Sequence, residues 1–344
     1  MAKFVILCGV LVSLSGCATL GWYGQAARGQ LEIMSKRQDI AGLIERPDID
    51  PALAERLELA LEIRAFAVAE LGLPDSRSYT RFADLGREAA VWNVIATPRF
   101  DMTPRTWCYP LVGCLSYRGF FRQERAEALA ERLNEQGYDA AVFPVAAYST
   151  LGWFADPVLN TMLSRSDARL AALIFHELAH EKLFLPGDTE FSEGYATAVE
   201  RIGVERWLES RGEVDALESW RRDEALQAEF TERLLAARQR LIEIYASGHS
   251  EAEMLAARDR VFADLRESLD DLDQAAGDRR FSSWAERDLN NTHLALVATY
   301  EAAVAGFLRL YGDCGRDLAC FHARAAELAE ADQATRRRVL GDTA

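Results

Sequence analysis

The stretch Ser166–Phe184 constrains this chain more than any other, because it carries His176-Glu177-Leu178-Ala179-His180 inside a strongly helical pattern. Ser166 or Asp167 can cap its start, and Leu170, Leu173, Ile174 and Leu178 supply apolar contacts. Four residues advance an α-helix by about 400°, so His176 and His180 share one face, about 40° apart. Two imidazoles so placed can hold one Zn²⁺ at about 2.0–2.1 Å each. Glu177 falls beside that face, where its carboxylate can take a proton from an attacking water. The chain has 5 histidines, so finding two at this spacing, with a glutamate after the first, is a specific signal. A catalytic zinc also needs a third protein ligand and one position left open.

The next segment offers that ligand. Pro186-Gly187 reverses the chain, Asp188 or Thr189 can cap a second helix, and the run Phe191-Ser192-Glu193-Gly194-Tyr195-Ala196-Thr197-Ala198-Val199-Glu200 follows. A helix with two histidines, a reversal and a second helix with glutamate together resemble the gluzincin metallopeptidases. Within these, the membrane-alanyl-aminopeptidase group shows a similar Asn-Glu-Gly-x-x-Thr run with a second glutamate seven residues on. The resemblance implies Glu193 as the third ligand, with Glu200 fixing the tautomer of an imidazole. Loop length argues the other way: twelve residues separate His180 from Glu193 and nineteen separate it from Glu200, and relatives use the longer gap. Both stay open, with Glu193 favoured by its Ser-Glu-Gly surroundings. Glu181 and Glu190 read as solvated or helix-pairing carboxylates.

The N-terminus carries a separate signal. Lys3 precedes the apolar run Phe4–Leu14, which leads into Leu14-Ser15-Gly16-Cys17. About eleven apolar residues cannot span a bilayer, which needs roughly twenty, but they suit the core of a signal peptide. The small residues before Cys17 resemble the lipobox of bacterial lipoproteins. That implies removal of signal peptide 1–16 and lipid on Cys17 as a membrane anchor. With Ala18 next in place of aspartate, it also implies an outer-membrane location facing the periplasm. Residues 17–30 then read as a lipidated tether and 31–344 as a single domain. The formal net charge of −15 argues against nucleic acid as a partner.

Cys108, Cys114, Cys314 and Cys320 form two pairs, each with five residues between partners. Two local bridges are the simplest of the three possible connectivities, and an exported protein would keep them. Helices are expected over 30–46 and 51–72, punctuated by Pro47, Pro51 and Gly72-Leu73-Pro74. Strands follow around 91–97, 115–121 and 139–148, with a charged helix over 122–136. From about 164 onward the pattern is helical. Residues 213–275 read as a long hairpin with one wet face, broken at Gly248. The fold class is therefore α+β and mainly α-helical, with a small sheet directly before the histidine helix.

Two further segments widen the resemblance: Tyr148–Pro157, and Asn290-Asn291-Thr292-His293-Leu294 opening a helix through Tyr300. With the lipobox, Gln25–Gln30, the paired cysteines and the histidine motif, they look like a bacterial family of predicted zinc aminopeptidases. Peptide substrates, Zn²⁺ and a gluzincin-like core are what that resemblance implies. Tyr148, His293 and Tyr300 are candidates for stabilising the oxyanion of peptide hydrolysis, while tyrosines and lone histidines also serve ordinary packing. One departure stands out. The alanyl-aminopeptidase group reads the substrate's amine with a glutamate in a Gly-x-Met-Glu-Asn strand, and no such motif occurs here. A lipid-anchored scaffold with a structural metal, or a zinc hydrolase of cell-wall amides, are the competing functions. The carboxylate of Glu177 speaks against the scaffold, since a structural site has no use for it.

Overall fold

The computed structural model of the protein describes residues 21–109, 113–147, 149–150, 152–277, 279–301 and 303–341. Cys17, the leader and Tyr148 lie outside the described residues, as does the side chain of Tyr300.

The first helix, α1, covers 21–36. β1 (Gln38–Asp39), α2 (Ile40–Ile44) and α3 (Pro51–Glu70) follow. One helix was expected over 30–46, but the Asp39 carboxylate accepts from Gly42 N and starts a new helix there. Asp50 likewise caps α3, with Pro51 in the first turn, where its missing N–H costs nothing. β1 pairs with β2 (Arg81–Ala83), which runs parallel to β8 (Val158–Leu159). Residues 21–30, read from sequence as tether, are helical and docked. Trp22 Nε1 donates to the Gly119 carbonyl at 2.9 Å, and Gly29 lies so close to the Phe121 ring that a Cβ would overlap it. The contact crosses 97 residues of chain, so local pattern could not reveal it.

The main sheet is built on β3 (Val91–Pro98), flanked by β6 (Arg118–Phe120) and β7 (Tyr138–Val145), both antiparallel to it. Trp92 faces Phe120 on one side and Pro144 on the other. The strand expected at 115–121 divides: β4 (Trp107–Tyr109) and β5 (Gly113–Leu115) form their own hairpin, with Cys108 opposite Cys114 and bonded to it. α4 (Gln123–Glu135) covers one face of the sheet, where Val94, Ala96, Ala126, Leu133 and Ala140 make a small core.

After the short α5 (Asn160–Leu163) the chain is helical: α6 (Asp167–Lys182), α7 (Thr189–Arg211), α8 (Val214–Ala246) and α9 (Glu251–Ala276). α10 (Arg280–Ala285), α11 (Asn291–Glu301), α12 (Val304–Asp313), α13 (Leu318–Glu330) and α14 (Gln333–Leu340) complete it. The mainly helical α+β reading holds. α8 and α9 form the expected hairpin, turning at Gly248 with φ +75°, and they own a core of Phe230, Leu234, Leu241, Phe262 and Leu269. The Cys314–Cys320 bridge joins the end of α12 to α13. Asp139 on β7 ties sheet to hairpin, pairing with Arg258 at 3.0 Å and accepting from Asn291 N at 3.1 Å. Among the described residues, no helix is long and apolar enough to cross a membrane.

The largest core surrounds α6 and α7, with α3 and the C-terminal helices packed on them. Glycines set how closely they pack. A Cβ on Gly203 of α7 would meet Phe175 of α6 at 2.7 Å, and one on Gly194 would meet the Ala303 Cβ at 2.6 Å. Gly312, by contrast, has open space around it. Gly194→Ala is therefore expected to destabilise the protein by about 1–3 kcal/mol through overpacking, despite the better helix propensity. Gly312→Ala should leave stability unchanged or raise it by up to about 1 kcal/mol. Denaturant unfolding of the two variants measures both; equal effects would show that packing at Gly194 is not tight.

Candidate metal centre

α6 begins where Ser166 Oγ accepts from Arg169 N. From there its apolar face, Leu170, Ile174, Phe175 and Leu178, is driven into the core. That burial turns His176 and His180 toward α7. The turn at Leu185–Asp188 brings the chain back, with Ser192 Oγ donating to the carbonyls of Leu185 and Asp188. Asp188 caps α7 through Phe191 N and is itself clamped by Arg336 at 2.9 Å. Glu193, in the first turns of α7, is thereby aimed at the two histidines.

Three donor atoms converge. His176 Nε2 and His180 Nε2 lie 3.2 Å apart, and Glu193 Oε2 stands 3.3 Å from the first and 3.5 Å from the second. Ligands at about 2.0–2.1 Å in a tetrahedron are about 3.3–3.4 Å from one another. The triangle thus has the edge length of one tetrahedral face, and two nitrogens with one carboxylate oxygen are a donor set zinc accepts. The residues fit the ion. His176, His180 and Glu193 are also the group of potential ligands that lies close enough to share a metal among the described residues.

Glu200, two turns beyond Glu193, plays a different geometric part. Its Oε2 accepts from His176 Nδ1 at 3.0 Å, which leaves the Nε2 lone pair directed at the other two donors. Its contact is with the far side of the imidazole, so the choice that sequence left open favours Glu193 as the ligand. His180 has no equivalent partner: its Nδ1 is buried and unpaired among the described residues.

Charges in this small volume interact strongly. Burial works against a charged His176, but hydrogen bonds to Glu193 and Glu200 outweigh it and hold the imidazole well above its ordinary pKa. Burial pushes the Glu193 carboxyl up, yet the His180 charge and bonds from both histidines hold it far below the usual carboxylate range. The same concentration of negative charge would favour a metal cation, which has to displace that proton. Glu177 is raised by burial, moderated by the two histidines. It makes no hydrogen bond to any described residue, so its carboxylate is available to a reacting group.

The centre opens into a cleft of about 570 Å³. Val91 and Asn93 of β3, the segment Pro144–Ala147 and Ser149 form one wall, and Trp22 of α1, Tyr109 and Leu115 another. Arg169 and Leu173 extend it along α6, and Arg165 stands in the turn before that helix. Neither α1 nor the two arginines were singled out in the sequence. Arg169 had a signal, since it precedes His176 by seven residues and so shares its face. The candidate oxyanion residues do not all gather here. His293 packs its ring on Phe143 and Trp284, 5.2 and 5.9 Å between centroids, and Nδ1 meets Asn290 at 3.0 Å. Burial lowers its pKa to about 4. It does not line the cleft and serves the junction of sheet and hairpin. Asn291 is likewise a buried joint, donating to the Arg99 carbonyl and accepting from Tyr245. Glu181 and Glu190 lie outside the ligand triangle.

A protein-family model described as "Putative aminopeptidase" matches residues 21–340. No curated protein and no solved structure matches the chain.

The division between Glu193 and Glu200 is testable by metal content. Glu193→Gln is expected to lower zinc occupancy sharply, whereas Glu200→Gln should weaken zinc affinity about 10–100-fold and leave a site that fills at excess metal. Atomic absorption on dialysed protein checks it. A full site in Glu193→Gln and an empty one in Glu200→Gln would reverse the two roles.

Proposed function

Because the chain belongs to that aminopeptidase family, we propose that it is a zinc-dependent peptidase of gluzincin type that hydrolyses peptide bonds as an aminopeptidase. The observation that carries this reading is the donor triangle of His176, His180 and Glu193 with an unengaged Glu177 beside it in an open cleft. Zinc held by the three ligands would supply a Lewis acid for the peptide carbonyl. The other steps belong to the chain's own groups. Glu200 keeps the His176 proton on Nδ1, and Glu193 remains ionised. Glu177 takes the proton of the attacking water and passes it to the leaving amine nitrogen, a role suited by a carboxyl whose pKa is raised by burial. The cleft walls leave room for an extended chain beside α6.

The same proposal includes export and tethering through lipid on Cys17, at an outer membrane and facing the periplasm. Support comes from the apolar run that ends in Leu14-Ser15-Gly16-Cys17. The two disulfides add to it, since such bridges persist in oxidising compartments.

Replacing Glu177 by glutamine keeps the shape and removes the basic oxygen. Glu177→Gln is expected to retain zinc and stability while peptide hydrolysis falls about 10²–10⁴-fold. Zinc content and turnover are measured on one preparation. Wild-type turnover in a zinc-loaded variant would end the mechanism. A zinc-loaded wild-type protein that cleaves no peptide would leave the scaffold or the cell-wall amide in its place.

A further inference from the structure

The described lining holds three carboxylates, Glu177, Glu193 and Glu200, and each is committed: one to proton transfer, one to the metal triangle, one to His176. No lining carboxylate remains to pair with an ammonium group. Two cations do remain, Arg169 on α6 and Arg165 in the turn just before that helix, both on the side that leads away from the histidines.

Their surroundings differ. The turn carrying Arg165 is pinned by Arg56, which donates to the Leu163 carbonyl at 3.1 Å and to the Arg165 carbonyl at 2.8 Å and also pairs with Asp167. The Arg165 side chain is exposed and forms no ion pair among the described residues. Arg169 stacks over Trp220, 4.5 Å from its ring centre, and one nitrogen reaches Glu224 at 3.2 Å. Glu224 is shared with Arg201 at 2.8 Å, which fixes the place of the Arg169 guanidinium. Arg169 lies seven residues before His176, about 10 Å along the helix axis. An extended peptide covers that distance in about three residues, and the about 16 Å to Arg165 in about five.

We propose, on the peptidase reading above, that Arg165 and Arg169 form the specificity site of the cleft and bind a carboxylate of the substrate about three to five residues from the scissile bond. A guanidinium is the side chain best matched to a carboxylate, through paired N–H donors. The substrates selected are short peptides whose free C-terminus falls there, or longer ones with an acidic side chain at that point. Arg165 makes the direct contact and Arg169, fixed by Trp220 and Glu224, supplies the second charge.

The test uses zinc-loaded full chain and matched peptides of two to eight residues. Each is made as C-terminal acid and amide, with a parallel amidated set carrying Glu or Gln at successive positions. The expected result is a preference of about tenfold or more in kcat/KM for the acid at one narrow length, or for Glu over Gln at one position. It should lie mainly in KM, because the contact is present before the chemical step. Arg165→Gln should abolish the preference by lowering kcat/KM for the acid toward that for the amide, and Arg165→Lys should restore part of it. No preference at any length or position would overturn the proposal. So would an Arg165→Gln variant that loses acid and amide equally, which is the mark of a merely structural residue. Calorimetric binding of the same peptides to Glu177→Gln protein reads the discrimination without turnover. Tighter binding of the carboxylate form there, with no hydrolysis by wild type, would keep the carboxylate site and discard the peptidase reading.

Discussion

The spacing between α6 and α7 governs the rest of the site. Two ligand atoms come from one helix and the third from the other, and the 3.2–3.5 Å edges between them survive only if the two axes hold their distance. Gly203 under the Phe175 ring permits that approach, and Gly194 lets the start of α12 close on the other side of α7. The same closeness brings Glu177, Glu193 and Glu200 together in a largely buried volume. Asp156 lies just beyond, its carboxyl pushed up to about 7 by burial, with the charges of Glu177 and Glu181 adding to the shift. Like charges drawn out of water repel strongly, so this packing is tolerable only with a cation at its centre. An imidazolium serves partly, and a divalent metal serves better.

The cleft is assembled from parts that the chain keeps far apart. α1 closes one side through Trp22, the β3–β7 pair supplies another, and the histidine helix forms the floor. Trp22 and the β3–β7 pair pack on one apolar core and the histidine helix on another, so their positions are fixed independently of the reaction. The hairpin α8–α9 takes part at a distance. Glu224 on α8 ties Arg169 of α6 to Arg201 of α7, and Asp139 ties the hairpin's Arg258 to β7. Charged residues that looked like a solvated face thus include a few that brace the cleft.

What the sequence revealed follows from what local pattern can encode. The His176–His180 pair, the cap at Ser166 and the break at Gly248 all depend on residues a few positions apart, and each stands where periodicity and capping chemistry put it. Glu193 against Glu200 was harder, because both lie on the correct helix face and only the distances to the two nitrogens of His176 separate them. Contacts across the chain were not legible. Nothing near Trp22 announces a bond to Gly119, and nothing in Asn290–His293 announces that β7 and the hairpin meet there. His293 looked chemical for that reason and is a satisfied, neutral core group. The arginines of the cleft were hidden in the same way, since their importance comes from what α6 faces and not from their own neighbours.

X-ray absorption at the zinc edge on purified, dialysed protein tests the central claim most directly, because it reads the ligand atoms without requiring a substrate. One zinc per chain is expected, in a four-coordinate shell of two imidazole nitrogens and two oxygens at about 2.0–2.2 Å, with no sulfur. Absence of stoichiometric metal, a single imidazole in the shell, or sulfur at about 2.3 Å would contradict the assignment of His176, His180 and Glu193 as the ligands.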